Sequence, residues 1–377
     1  MLFIDLLTVI WFTATPFLVL LIAQTFRLRR FHPTFHNDPS TFIIQITTDS
    51  KSSKTVNRMI NLIKSYTFAF AYEIWVVIEE RNREHFEGAD RIVRVPKGFM
   101  TPNKSLYKTR ALEYARQLRI TEGTEVESTK ILFLDDDNSP SRQYIEKAFH
   151  SPFDLSQGVL HSRRQNGKGS VLIATIDYTR TAACIGYCSF FNGRHNPRLV
   201  HGEGLVIKAN VEKAVGWDFG KTLGEDLIFG RKASKHFTFG FIPEALEITA
   251  PKSIHDFFIQ RRRWFWGNMT AMRQIDMSER LFLLTNTITS ALGVLSTGII
   301  LAILASGTHI PLISIVGLGL STTAWISQYI IGCALNTKSV KAVVKTVLLM
   351  YPASVISAAI SVAIFFSKPK TFDIIQK

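Results

Sequence analysis

The sequence predicts an α/β protein: a mostly parallel sheet flanked by helices, with transmembrane helices at both ends. Three observations carry that reading. Short apolar runs alternate with segments of helical period between residues 41 and 135. The last of these runs, Ile131-Leu-Phe-Leu134, delivers Asp135, Asp136 and Asp137 to its end. Nearly uncharged apolar stretches, each long enough for the roughly 20 residues that a membrane-spanning helix needs, lie towards both termini.

The first apolar stretch covers residues 2–26, interrupted only by Asp5, and Arg27, Arg29 and Arg30 follow at once. Basic residues after the apolar run, with no small-residue cleavage site, indicate an uncleaved anchor over residues 1–30. A charged, soluble-type domain is expected over residues 37–280. Beyond it the C-terminal part, 281–377, holds three further candidate spans at about 281–306, 310–335 and 343–366. The arginines behind the first span place the domain on the cytoplasmic side by the positive-inside rule, with the N-terminus outside. Lys338, Lys341 and Lys345 agree with this, whereas Lys368, Lys370 and Lys377 oppose it.

The net charge of +14 invites a nucleic-acid partner. The basic residues, however, are scattered or cluster beside apolar runs, which fits a lipid bilayer with an anionic surface, and no nucleic acid is expected. Cys184, Cys188 and Cys333 imply no framework of bridges. Cys184 and Cys188 can share a helix face, but zinc would need more ligands, so they read as buried thiols of a reduced, cytosol-facing domain.

Within that domain, residues 41–47 form a first strand, and Val56, Met59, Ile60 and Ile63 give residues 54–66 a helical period. Residues 72–78 form a second strand ending at Glu79, residues 91–95 a third, and residues 105–118 a helix that carries Lys108 and Arg110. The run at 131–134 is then the central strand, too short for an ordinary helix and apolar enough to be buried on both faces. Ligands of such sheets bind at the carboxyl ends of the strands, where adjacent carboxylates call for a divalent cation. A solvated acidic turn is the alternative for the triplet.

Three later stretches carry chemistry. His201-Gly202-Glu203-Gly204 precedes a strand at 205–209, as a turn where backbone approaches a ligand or as a plain hairpin turn. Gly224-Glu225-Asp226 opens a helix at 227–233; carboxylates there are either chemical groups or partners of the helix dipole. Residues 260–268 read Gln-Arg-Arg-Arg-Trp-Phe-Trp-Gly-Asn, with arginine forks for phosphate oxygens and tryptophan faces for a sugar or the membrane interface.

As a set, the Asp-x-Asp at a strand end, the Gly-Glu-Asp and the Gln-x-x-Arg-Trp before membrane helices resemble glycosyltransferase family 2. These are the membrane-bound inverting enzymes that include cellulose and hyaluronan synthases. The resemblance covers about residues 41–268. The short length, Ile46-Thr47-Thr48 and the His-Gly-Glu-Gly stretch are most similar to Egghead-type β-1,4-mannosyltransferases, and residues 108–115 fit the family's lysine-bearing helix. The resemblance implies a GT-A-type fold, a nucleotide-sugar donor and Mg2+ or Mn2+. It assigns the metal to Asp135 and Asp137, with Asp137 the direct ligand and Asp136 between them. It gives the nucleoside to Thr47, Thr48 and Glu79, although a glutamate here replaces the usual aspartate. The diphosphate goes to Lys108, Gln260 and Arg263, the acceptor to Gly202, Glu203, Gly204, Glu225 and Trp264, and the role of base to Asp226. The implied reaction moves mannose from GDP-mannose onto a glycolipid or oligosaccharide hydroxyl with β linkage. A polyprenyl-phosphate sugar synthase or a processive polysaccharide synthase using a UDP-sugar is the alternative. A metal-dependent nuclease would need no membrane spans, and a transporter would leave the carboxylates idle.

Overall fold

The computed structural model describes residues 2–30, 38–49, 53–81, 84–164, 169–194, 196–197, 200–278, 280–282, 284–285 and 310–369. Strands β1 (Thr41–Thr47) and β2 (Glu73–Glu79) each bury five consecutive inner residues. Such runs are stable only when both faces of the sheet are covered, as in parallel α/β proteins. β1 pairs in parallel with β2 and, on its other edge, with β4 (Thr129–Asp135), and β3 (Arg91–Val95) adds beyond β2. Helix α3 (Ser53–Lys64) leads from β1 to β2; α4 (Tyr107–Thr121) returns the chain across β1 to β4. The winding direction therefore reverses between β1 and β4, and that reversal opens a crevice at their carboxyl ends.

The remaining elements are β5 (Asn138–Pro140), α5 (Arg142–His150), β6 (Leu155–Arg163), β7 (Leu205–Lys208), α8 (Ala209–Val215), α9 (Glu225–Ala233) and β8 (Phe239–Thr249). They complete an eight-stranded sheet of order β3-β2-β1-β4-β7-β6-β8-β5. The expected α/β architecture is present. Parallel pairing holds from β3 to β4 and again between β6 and β8, while β7 runs antiparallel to β4 and β6, and β5 antiparallel to β8. Apolar layers cover both faces, Ile44, Ile46, Met59, Ile60 and Tyr144 on one and Ile43, Val77, Leu112, Leu205 and Phe229 on the other. Helix α4 is fixed by the fully buried Arg119, which donates to Glu125 at 3.0 Å and to Gln45 at 2.7 Å and also pairs with Glu212.

Among the described residues, three helical stretches are long and apolar enough to cross a membrane: Ile4–Leu28, which includes most of α1 (Leu2–Phe12) and α2 (Ala14–Arg30), then Leu312–Thr337 and Val340–Phe365. The expected span at 281–306 lies outside the described residues except at its first few positions. Two elements of the sheet domain hold these apolar helices. Between β6 and β7, α6 (Val171–Ala183), a π-helical turn (Cys184–Cys188) and α7 (Ser189–Asn192) form one insertion. Asn336 donates to Thr181 of α6 at 2.9 Å, and Gly186 of the π turn lies against Phe17 and Leu21. Helix α10 (Ile254–Ala271) meets the last helix, with Trp266 Nε1 donating to the Ile364 carbonyl at 3.1 Å.

Candidate active site

The site begins where β4 ends. The Asp135 N–H donates to Asn138 Oδ1 at 2.8 Å, a short side-chain turn that stops the strand and sends the three carboxylates different ways. Asp135 forms an ion pair with Lys108 of α4. Asp136 accepts from the Thr48 hydroxyl at 3.1 Å, and Thr47 lies beside Asp135 in the sheet register. Asp137 is buried, and its carbonyl accepts from Thr249 at 3.1 Å. The triplet is thus built into the crevice and is not a solvated turn. Glu79 stands two strands away, paired with Arg110 at 2.6 Å.

A second group of carboxylates meets the first from α9. Asp226 accepts the Gly202 N–H on Oδ2 and the Leu227 N–H on Oδ1, both at 2.8 Å. A Cβ placed on Gly202 would lie 3.0 Å from Lys108 Nζ and 3.6 Å from Asp226 Cβ. The helix α4, the end of β4, the glycine turn and the start of α9 therefore converge on one point.

Helix dipole and burial act in opposite directions on the carboxylates of α9. Both Glu225 and Asp226 lie in the first turn of α9, where the dipole favours ionised carboxylates. Their pKa values nevertheless move the other way. Burial, then the neighbouring Asp226 carboxylate, pushes Glu225 up to about 7. Burial also raises Asp226, against the pull of Lys108 and of the two N–H groups. For Lys108, burial favours loss of the proton, but Asp135, Glu225 and Asp226 outweigh it and the net shift is upward. Lys108 is thus a fixed cation shared by carboxylates in excess. An all-oxygen, negatively charged donor set of this kind suits a hard divalent cation.

The glycine turn closes the other side. Gly204, at φ +70°, leaves no room for a side chain: a Cβ there would meet the Tyr144 hydroxyl at 2.5 Å and Leu246 at 2.7 Å. Glu203 is buried against Arg180 at 2.5 Å. Two guanidinium groups, Arg180 and Arg261, each approach the ring of Trp264 to 4.5 Å from its centroid, and Arg261 pairs with Asp177 at 2.6 Å. Gln260 is buried, and its side-chain oxygen has no hydrogen-bond partner among the described residues; Arg263 is half-buried on the same helix. Helix α10 approaches the Asp226 loop closely, since a Cβ on Gly267 would sit 2.7 Å from the Leu223 carbonyl oxygen. The structure thus brings Lys108, Asp135, Gly202, Glu225 and Asp226 together, seats Glu203 and Trp264 around Arg180, and leaves Glu79 apart. Sequence reasoning did not single out Asp177 or Arg180. Their signal was present: two charges in the otherwise apolar α6 demand partners.

This arrangement can hold an acidic ligand by Lys108 and accept a proton at Asp226. The sequence pattern of glycosyl transferase family group 2 matches residues 130–362, more than half of the chain and all of the site from Asp135 to Trp264. The chain belongs to that family. Among curated relatives, it is 26% identical over 204 residues to the beta-1,4-mannosyltransferase egh of Drosophila melanogaster, a match spanning 51% of this chain and 44% of that one. It is 29% identical over 192 residues to the beta-1,4-mannosyltransferase bre-3 of Caenorhabditis briggsae, spanning 47% and 40%. The chain therefore covers less than half the length of these relatives. Among solved structures it is similar to the mannosyltransferase PcManGT from Pyrobaculum calidifontis in complex with GDP-Man and Mn2+, with a TM-score of 0.50 and 13% identity over 95% of this chain and 96% of that one. At that identity the likeness speaks for the fold, a GT-A-type curled α/β sheet.

Proposed function

We propose that this chain is a membrane-embedded inverting glycosyltransferase that moves mannose from GDP-mannose onto a hydroxyl of a glycolipid or oligosaccharide, with β linkage. The observation that carries the reading is Asp226, a half-buried carboxylate of raised pKa with both oxygens fixed by backbone N–H groups, beside Lys108 at the carboxyl end of β4. A carboxylate held in this way is suited to general-base work. The acceptor hydroxyl gives its proton to Asp226 as its oxygen bonds to the anomeric carbon. The bond from that carbon to the diphosphate breaks, and the nucleoside diphosphate leaves with the electron pair. Attack opposite the leaving group inverts the centre.

Lys108, cationic at all ordinary pH, meets the charge that grows on the diphosphate, and Gln260 and Arg263 approach it from α10. Asp135 and Asp137 would hold a magnesium or manganese ion, which when bound neutralises diphosphate oxygens. Thr47, Thr48 and Glu79 face the nucleoside, where a glutamate can accept paired bonds from the N1 and N2 groups of guanine. The Trp264 ring, the glycine turn and Glu225 take the acceptor sugar. Both curated relatives named above are mannosyltransferases, and the similar solved structure holds GDP-Man and Mn2+, which supports the donor and the metal. We further propose that residues 1–30 anchor the chain, that 37–280 is the catalytic domain facing the cytoplasm, and that 281–377 returns to the bilayer. Arg27, Arg29 and Arg30 behind the first span support that orientation. Competition for the donor site tests the reading. GDP should displace bound donor from the purified protein in Mn2+ better than UDP does, and the reverse order would overturn the mannosyl assignment.

A further inference from the structure

A second cluster lies on the insertion between β6 and β7, and donor chemistry does not use it. Cys184 and Cys188 bracket the π-helical turn, and both are buried. His201, which opens the glycine turn, directs Nε2 at them, 3.9 Å from Cys184 Sγ and 3.4 Å from Cys188 Sγ. All three ligand atoms lie within 4.8 Å of one another. In a tetrahedral zinc site, bond lengths of about 2.3 Å to sulfur and about 2.0–2.1 Å to nitrogen put a sulfur about 3.6 Å from a nitrogen. The two observed sulfur–nitrogen distances fall within about 0.3 Å on either side of that value, so the imidazole stands at metal-ligand spacing from both sulfurs.

The alternative is two buried thiols and a half-buried imidazole that satisfy one another by an S–H···N contact. The local backbone favours the ion. A π turn gives up regular helical hydrogen bonding and recurs at functional sites. Here it carries both sulfurs towards His201 while Gly186 between them lies against Phe17 and Leu21 of α2.

We propose that Cys184, Cys188 and His201 bind a zinc ion that clamps the glycine turn to the helix contacting the apolar spans. Two thiolates and an imidazole select a thiophilic cation, unlike the oxygen donors at Asp135, and a water completes the fourth position. Binding releases the two thiol protons to solvent. Gly202 follows His201 and donates its N–H to Asp226, so the ion fixes the carboxylate relative to the apolar helices. That last consequence rests on the proposed role of Asp226; the metal site does not.

The test is zinc titration of the purified, reduced and chelator-stripped full chain in excess Mg2+, with Co2+ as a spectroscopic probe. We expect one zinc per chain and a thiolate-to-cobalt charge-transfer band. Cys184→Ser and Cys188→Ser should each weaken zinc binding by more than about 100-fold, since removing a group that merely hydrogen-bonds a metal ligand already costs about 10- to 100-fold. Cys333→Ser and Asp135→Asn should leave the affinity and the band unchanged. Absence of the charge-transfer band in the parent, which needs no variant to fold, would overturn the site. So would equal zinc affinity in parent and Cys184→Ser/Cys188→Ser. Neither readout depends on sugar transfer, so failure here and failure of the glycosyltransferase reading remain distinguishable.

Discussion

Asp226→Asn separates the two roles that a carboxylate at the start of α9 can play. The carboxylate accepts an N–H on each oxygen at 2.8 Å, from Gly202 and from Leu227. An amide has one acceptor oxygen, so its NH2 must face one of those donors. Leaving that N–H unpaired costs about 1–3 kcal/mol of stability. Lys108 keeps Asp135 and Glu225 as partners, so its charge remains for the donor. The chemical step fares worse, because loss of a general base costs about 100- to 10,000-fold in rate. A carboxylate that served only the helix dipole would cost about 0.3–1 kcal/mol of stability and leave the rate alone. Calorimetric GDP-mannose binding and single-turnover transfer, measured on the same preparation, read the two quantities separately. The expected variant binds donor as the parent does and transfers at least about 100 times more slowly. Transfer at close to the parent rate would refute the assignment of Asp226 as base.

Burial holds the Asp226 carboxyl above its ordinary value, and the proposed base acts only when ionised, so kcat/KM should rise through a limb that lies above the pH of an ordinary aspartate. Glu225→Gln removes a negative charge, eases ionisation of Asp226 and moves that limb to lower pH; a pH–rate profile displaced upward would contradict this. Asp137→Asn should weaken donor binding by about 2–5 kcal/mol, the usual cost of removing one partner of a buried charged contact. Excess chelator should abolish transfer in the parent, and full activity in chelator would exclude the metal role of Asp135 and Asp137. Gly204→Ala forces a Cβ against Tyr144 and Leu246 and should lower stability by about 1–3 kcal/mol in a thermal-shift measurement.

The parallel half of the domain was legible because its strands are continuous apolar runs. The expected strand at 41–47 is β1 in full, and that at 91–95 is β3. Helix α3 and α4 begin and end within a few residues of their expected limits, and β4 ends at the acidic triplet as expected. In the second half the expected strand at 205–209 is β7 and the expected helix at 227–233 lies within α9, whereas β6 and α6 were not legible. β6 buries Ser156, Gln157 and Ser162 among its apolar residues, so neither alternation nor a continuous apolar run marks it. Helix α6 owes its burial to contacts with apolar helices more than a hundred residues away, which no local period records. The site shows the same division. Asp135 and Asp226 stand in motifs visible in the sequence, whereas the meeting of Arg180 and Arg261 at Trp264 and the approach of His201 to Cys184 and Cys188 depend on topology. Glu79 was placed correctly at the end of β2, but only the fold showed that Arg110 holds it.

In the proposed reaction Asp226 guides an acceptor hydroxyl to displace GDP from mannose in one step. The anomeric configuration of the product, determined by NMR after the purified chain has used α-linked GDP-mannose, tests this most directly. A β-linked mannoside is the predicted result. An α-linked product, or GDP-mannose left intact while a UDP-sugar is consumed, would contradict it.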